Sequence, residues 1–312
     1  MSGGGGDRLD DLDLCLLAWR EAPRMLERFH DGLAAALPSG WAGTVVLVEN
    51  AAPPATSAAA RAGVRRSCPD ARRLVVRAPR NLGYAQATDL ALAECRGRYV
   101  ALLNSDGRPE PGMLETLVAA LEADPGALWA APAVHGPGER CEPPGPPFAE
   151  ERLAGMALVI RREAFLALGA FDPLFVFYNE DHEASDRVRS AGHRLLRVPD
   201  ARFHHGKGGR SRRGTVVREW WYAWTAQTLE HVQAVDHVAA ARSLVRRRGR
   251  SLREHVAEGD LPGTLGIAAA TLAWPVSVAA AEHRRRRPWT AARLDAWLDR
   301  VRRRHGLRVE PL

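Results

Sequence analysis

The feature that most constrains the fold is a regular alternation of short apolar runs with stretches of helical period. Strand-like segments at Leu12–Trp19, Thr44–Val48, Arg73–Arg77 and Tyr99–Leu103 are interleaved with helical patterns at Arg24–Leu37, Ala85–Cys95 and Pro111–Ala123. A Pro/Ala-rich stretch after Asn50 reads as a loop, and Pro111 suits the first turn of its helix. Strands and helices at this rhythm imply a mostly parallel α/β sheet, which binds ligands beyond the carboxyl ends of its strands. Glu49-Asn50 and Asn104-Ser105-Asp106 fall at such ends, which makes them the first candidates for function.

Beyond this half the pattern changes. Val134–Phe148 is rich in Pro and Gly and reads as a loop or hinge. Order resumes at Leu153–Arg161 and in a helix from Glu163 to Leu168. An aromatic run, Phe171–Tyr178, precedes the acidic cluster Glu180-Asp181-His182-Glu183, which opens another helix. A strand at Leu195–Val198 leads to His204-His205-Gly206-Lys207. The remainder is helical, and Trp220, Trp221 and Trp224 suit packing better than an acceptor platform. The expected division is a flexible leader over 1–10, a main domain over 11–214 and a basic helical extension over 215–312.

The net charge of +7 is concentrated late, in Arg246–Arg248, Arg284–Arg287 and Arg302–Arg304. Such clusters fit a solvated face or an anionic membrane surface, so peripheral membrane contact is an expectation of the C-terminal region. Leu261–Ala281 is long enough to span a bilayer but is mostly Ala and Gly with Pro275, and a buried helix or helix pair is the better reading. Four widely spaced cysteines, Cys15, Cys68, Cys95 and Cys141, suggest neither a zinc site nor a disulfide framework. A cytoplasmic location, with some attachment to the inner face of the cell membrane, is the corresponding expectation.

A carboxylate at a strand end and another in a downstream acidic cluster are what sugar transfer requires. A divalent cation neutralises a departing diphosphate, and Mg2+ or Mn2+ needs only one or two protein carboxylates beside phosphate oxygens. A second carboxylate takes the proton of the attacking hydroxyl. Asp106 and Asp181 are the pair on offer.

Six motifs in order carry a resemblance: Glu49-Asn50, Asn81-Leu82-Gly83-Tyr84-Ala85, Leu102–Asp106 with Glu110-Pro111-Gly112, Val159–Glu163, Phe171-Asp172 to Glu180-Asp181, and His204-His205-Gly206. Over roughly Leu12–Ser211 the chain resembles family 2 glycosyltransferases, most closely their rhamnosyltransferase-like branch. The resemblance implies an α/β GT-A fold, Rossmann-like with a mostly parallel central sheet, whose nucleotide-binding half covers about 11–133 and acceptor half about 150–214. It further implies a nucleotide-sugar donor, a Mg2+ or Mn2+ ion, inversion at the anomeric carbon, and a hydroxyl acceptor on a glycan, a lipid-linked carrier or a small natural product. Rhamnose or another hexose is the implied sugar, in cell-envelope or natural-product glycan biosynthesis, and no nucleic-acid partner is implied.

Position by position, the resemblance places Trp19, Arg20, Glu49, Asn50, Asn81, Gly83, Asn104 and Ser105 around the nucleotide sugar. It makes Asp106 the metal carboxylate and His204 a metal ligand, Asp181 the base, and Glu180 the residue that orients the acceptor or tunes that base. Departures are Glu49 for the family's usual Asp, Asn104 for the first Asp of an Asp-x-Asp motif, Gln86 and Asp89 after the Asn-x-Gly turn, Glu183-Ala184, and Lys207 among glycines, which could contact the diphosphate. Two other readings compete. A sugar nucleotidyltransferase would need a Gly-rich phosphate loop, which Leu12–Glu21 lacks. A degenerate fold serving as a binding module would not need Asp106 and Asp181.

Overall fold

The computed structural model describes residues 9–136, 142–206, 215–234 and 237–312. In chain order the elements are β1 (Leu12–Ala18), α1 (Pro23–Ala36), β2 (Thr44–Asn50), α2 (Pro54–Ser67), β3 (Arg72–Ala78), α3 (Tyr84–Glu94), β4 (Tyr99–Leu103), β5 (Gly107–Pro109), α4 (Met113–Ala123), β6 (Ala127–His135), β7 (Phe148–Ala149), β8 (Ala157–Arg161), α5 (Arg162–Ala167), α6 (Glu180–Ser190), β9 (Arg194–His205), α7 (Val216–Gln233), α8 (His237–Ala257), α9 (Leu261–Leu272), α10 (Trp274–Arg286), α11 (Ala291–His305) and β10 (Val309–Pro311).

The strands form one sheet in the order β10-β3-β2-β1-β4-β8-β6-β9-β5, with β7 also paired to β9. The parallel arrangement expected from the sequence holds for β3-β2-β1-β4. It breaks at β8, which runs antiparallel to both β4 and β6, and β9 is parallel to β6 but antiparallel to β5 and β7. Strands β1, β2 and β4 are almost wholly buried, as expected for strands covered on both faces. Leu26, Phe29 and Leu33 of α1, Val64 of α2 and Leu114, Leu117 and Leu121 of α4 fill one face. Leu90 of α3, Phe165 of α5, Val188 of α6 and Leu294 and Leu298 of α11 fill the other.

Inside β1 the buried Asp13 carboxylate ties three segments together. Its oxygens accept the amide hydrogens of Thr44 at 2.7 Å, Arg96 at 2.6 Å and Gly97 at 2.8 Å. It therefore fixes the starts of β2 and β4 relative to β1, so that their far ends, where the polar motifs lie, come level.

Three expectations are corrected. Residues 54–67, read as loop, form α2, because Pro54 presets the first helical turn and an Ala-rich run of good helix formers follows. The strand at Leu195–Val198 extends to His205, which carries both histidines onto the sheet. The leader expected over 1–10 ends before Leu9, which is fully buried and accepts a hydrogen bond from the Trp41 indole at 3.0 Å; residues 1–8 lie outside the described residues. The helical extension over 215–312 packs back on the main domain, since α11 joins its core and β10 adds an antiparallel edge strand to β3.

Helices α7, α9 and α10 form a satellite layer. Trp220 stacks on Trp224 (centroids 5.9 Å, 8° between planes), and Trp221 meets Phe177 edge to face at 6.0 Å. The three tryptophans are thus packing residues, as expected. Leu261–Ala281 is a helix pair bent by 56°, and among the described residues no single helix is long and apolar enough to cross a membrane. A buried ion pair between Arg284 of α10 and Asp172 at 2.6 Å fastens this layer to the aromatic run before α6.

Candidate active site

The site is built at the carboxyl ends of β1, β2, β3 and β4, and each strand end carries its polar residues for a local reason. After β4, the Asn104 amide donates to Met156 O at 2.9 Å and the Gly107 amide to Asn104 O at 3.3 Å, which closes a tight turn over Asn104–Gly107. Ser105 is buried in it, its hydroxyl donating to Leu17 O at 3.3 Å. A Cβ on Gly107 would lie 2.1 Å from the Phe203 ring, so only glycine lets β5 approach β9 this closely. The resulting register sets Gly107 opposite His205 and Arg108 opposite His204.

This register separates the two histidines. Successive strand side chains point to opposite faces, so the two imidazoles diverge. His205 Nε2 lies 3.3 Å from Asp106 Oδ2, whereas His204 Nε2 is paired with Glu110 Oε1. His205, not His204, is therefore the residue beside Asp106. Asp106 Oδ1 is buried and has no hydrogen-bond partner. Among the described residues no group of three or more His, Cys, Asp and Glu could hold a metal. An oxygen and a nitrogen donor do fit a Mg2+ or Mn2+ ion that takes its remaining ligands from phosphate and water. Lys207 lies outside the described residues.

Trp19 and Arg20 follow β1 directly, with the Arg20 guanidinium 5.5 Å from the Trp19 ring centroid and the Trp19 amide donating to Glu21 at 2.7 Å. Glu49, at the end of β2, is buried and clamped by Arg61 through two hydrogen bonds of 2.6 and 2.7 Å, with Arg77 at 3.6 Å. Its longer side chain reaches α2, a contact that the shorter Asp would not make in the same way. Glu49 and Arg77 line a cavity of about 380 Å³ that His305, at the end of α11, helps to close.

Asn50 also shapes the neighbouring turn. Its Nδ2 donates to Asn81 Oδ1 at 2.9 Å and Gly83 O at 3.1 Å, and its Oδ1 accepts the Leu82 amide at 2.7 Å. Asn81 Oδ1 also accepts the Gly83 amide at 2.9 Å. Both asparagines thus lock the Asn81–Gly83 turn. Gly83 is required there: its φ is 86°, and a Cβ would stand 2.2 Å from Val176 O. That close approach joins the turn to the loop before α6.

The acidic cluster sits across this joint. Tyr84 donates its hydroxyl hydrogen to Gly155 O at 2.7 Å, and the Gly155 amide donates to Asp181 Oδ2 at 2.9 Å. The His182 amide donates to Asp181 Oδ1 at 2.8 Å. Glu180 is buried with Oε2 unpartnered. Burial pushes its carboxyl well above the usual carboxylate range, and the Asp181 charge adds to the effect. Tyr178 and Asn179 both have positive φ, 64° and 61°, a strained entry to α6. Asn179 is held there by a 3.0 Å hydrogen bond to Thr225 of α7. Glu183, by contrast, serves Arg187, which it pairs at 2.9 Å while that guanidinium caps the carbonyls of Leu168 and Ala170 at 2.6 and 2.5 Å. Tyr84 and Gly155 were not singled out by sequence for this role, although Tyr84 lies inside the Asn81–Ala85 motif.

Comparison with known proteins defines the class. Residues 18–165 match the model of glycosyl transferase family 2. The same architecture recurs in Staphylococcus aureus TarS 1–349 in complex with UDP-GlcNAc (TM-score 0.58, 12% identity, 86% of this chain and 81% of that one) and in the Pyrobaculum calidifontis mannosyltransferase PcManGT with GDP-Man and Mn2+ (TM-score 0.55, 18% identity, 88% and 86%). Residues 18–165 are thus similar to glycosyl transferase family 2, and the chain has the GT-A fold of these glycosyltransferases. Among curated proteins it is 32% identical over 133 residues to N-acetylglucosaminyl-diphospho-decaprenol L-rhamnosyltransferase of Mycobacterium tuberculosis, covering 37% of this chain and 43% of the relative. The chain therefore matches less than half the length of that relative.

Proposed function

We propose that the protein transfers a hexose or deoxyhexose, rhamnose being the leading choice, with inversion from a nucleotide diphosphate to a hydroxyl of a lipid-linked, diphosphate-bearing acceptor. The observation that carries this reading is the buried, unpartnered Asp106 Oδ1 beside His205 at the end of β4. The acceptor class is supported by the rhamnosyltransferase relative, whose name specifies such a substrate. A bound divalent ion would be held by Asp106 and His205 and would neutralise the leaving diphosphate.

The chain's own residues perform the rest. Asp181, oriented by the amides of Gly155 and His182, accepts the proton of the acceptor hydroxyl as its oxygen bonds to the anomeric carbon and the bond to the diphosphate breaks. Glu180, whose carboxyl burial pushes upward, stands next to that base, where it can hydrogen-bond the acceptor. The Asn81–Gly83 turn and Tyr84 hold donor and acceptor halves in register.

The acceptor chemistry also gives the satellite helices a role. Leu261 (65% exposed), Leu272 (84%) and Val276 (58%) are exposed on α9 and α10, and the exposed Arg286 and Arg287 follow them in the chain. Exposed apolar side chains followed by exposed arginines suit contact with an anionic leaflet at the cytoplasmic side. The test is single-turnover transfer from a panel of UDP-, dTDP- and GDP-sugars with Mn2+. Asp181→Asn should bind donor with wild-type affinity yet lose at least 100-fold in transfer. Unchanged turnover in that variant would remove Asp181 from the base role.

A further inference from the structure

Beside Asp106, on the side of α1, lies a cavity of about 550 Å³ whose arginines have no part in the donor and metal roles above. Arg24 and Arg28 of α1 and Arg108 of β5 line it, with Asp106, His204 and Asp31. The charge balance is lopsided. Asp31 is already engaged by Arg66 at 3.2 Å and His204 by Glu110, whereas none of the three lining arginines has an ion-pair partner among the described residues. Arg108 is aimed by packing: a Cβ on Gly32 of α1 would sit 2.2 Å from Arg108 Cγ, so the bare glycine backbone leaves the channel in which the arginine stem runs. Three unpaired guanidinium groups converging on one cavity favour a ligand with several anionic oxygens, because each can donate two parallel hydrogen bonds to phosphate.

We infer that Arg24, Arg28 and Arg108 form a second anion site that holds the diphosphate of the acceptor, distinct from the ion-dependent site for the donor diphosphate. The inference rests on the transferase reading above and sharpens it. Two diphosphates meeting at one centre would repel, and assigning one to a cation and the other to arginines lets both bind at once. Asp106 lies on the border between the two, so acceptor and donor sites share a wall.

The test separates this site from the donor site and from the transferase reading itself. Farnesyl diphosphate and inorganic pyrophosphate are titrated calorimetrically into the full chain in EDTA, without nucleotide. Wild type should bind both, and the exposed-residue double variant Arg28→Ala/Arg108→Ala should lose more than tenfold in affinity while melting at the wild-type temperature. In turnover assays the double variant should raise KM for a prenyl-diphosphate-linked sugar acceptor more than tenfold and leave the donor KM within twofold. Unchanged diphosphate affinity in the variant overturns the inference, as does a parallel rise in donor KM, which would hand the arginines to the donor. Arginine-dependent diphosphate binding in a protein that turns over no nucleotide sugar would uphold the anion site and sink the transferase reading.

Discussion

Gly83→Ala is the substitution that most sharply tests the link between the two halves of the site. Gly83 has φ 86° and ψ 174°, a region essentially reserved for glycine, and forcing a side chain there costs about 1–3 kcal/mol. The added Cβ would also stand 2.2 Å from Val176 O, a backbone atom that must retreat by roughly 1 Å to reach ordinary contact. Val176 lies in the segment that delivers Glu180 and Asp181, and its carbonyl also accepts the Tyr84 amide at 3.2 Å. Moving a catalytic group by about 1 Å lowers rate by on the order of 100-fold. The variant should therefore fold, melt several degrees lower and bind donor nearly normally, while single-turnover transfer falls by about two orders of magnitude. Thermal melts and rapid-quench transfer at saturating donor measure the two quantities. A folded variant with transfer within twofold of wild type would refute the claim that this contact sets the position of the base.

Further outcomes follow from the same geometry. His205→Ala should weaken Mn2+-dependent donor affinity at least tenfold, whereas His204→Ala, which removes only the partner of Glu110, should leave the Mn2+ dependence within twofold; the reverse ranking in a donor-binding titration would return His204 to the metal. His30 is buried between α1 and α2 against Ser67 Oγ at 3.0 Å, and burial lowers its pKa from 6.5 to about 4. Because the folded pKa lies below the unfolded one, its contribution of up to about 3 kcal/mol is present above pH 6.5 and is lost as pH falls through about 4. Denaturant unfolding of wild type and His30→Phe between pH 7 and 4 should show a steeper loss in wild type, and parallel curves would contradict the assignment.

The strand–helix rhythm made the parallel half of the sheet legible because β1, β2 and β4 are buried on both faces and read as unbroken apolar runs. The other half was harder. Its strands pair across long sequence gaps, as β4 does with β8 and β6 with β9, and no local pattern encodes such partners. Helix α2 was hidden because its stretch is dominated by Ala and Arg with few large apolar residues to set a period. Strand β10 was hidden because three residues at an edge carry almost no signal.

At the site, Asp106, Asp181 and Glu180 stood out as carboxylates at motif positions. That His205 and not His204 hydrogen-bonds Asp106 follows from the β5–β9 register, which only the folded chain supplies. Likewise, Asn50 looks like a ligand-binding residue in sequence, and only its three hydrogen bonds to the Asn81–Gly83 turn reveal a structural role. The arginines of the second cavity come from α1 and β5, separated by some eighty residues of chain, and nothing in either segment alone points to the other.

The central claim is that Asp106 and His205 supply only part of an ion site and that the donor diphosphate completes it. Mn2+ binding followed by electron paramagnetic resonance, with and without a nucleoside diphosphate, tests this directly. The account predicts weak binding to the protein alone, at least tenfold tighter binding with nucleotide, and loss of that enhancement in Asp106→Asn. Equal Mn2+ affinity with and without nucleotide, or an enhancement that survives Asp106→Asn, would contradict it.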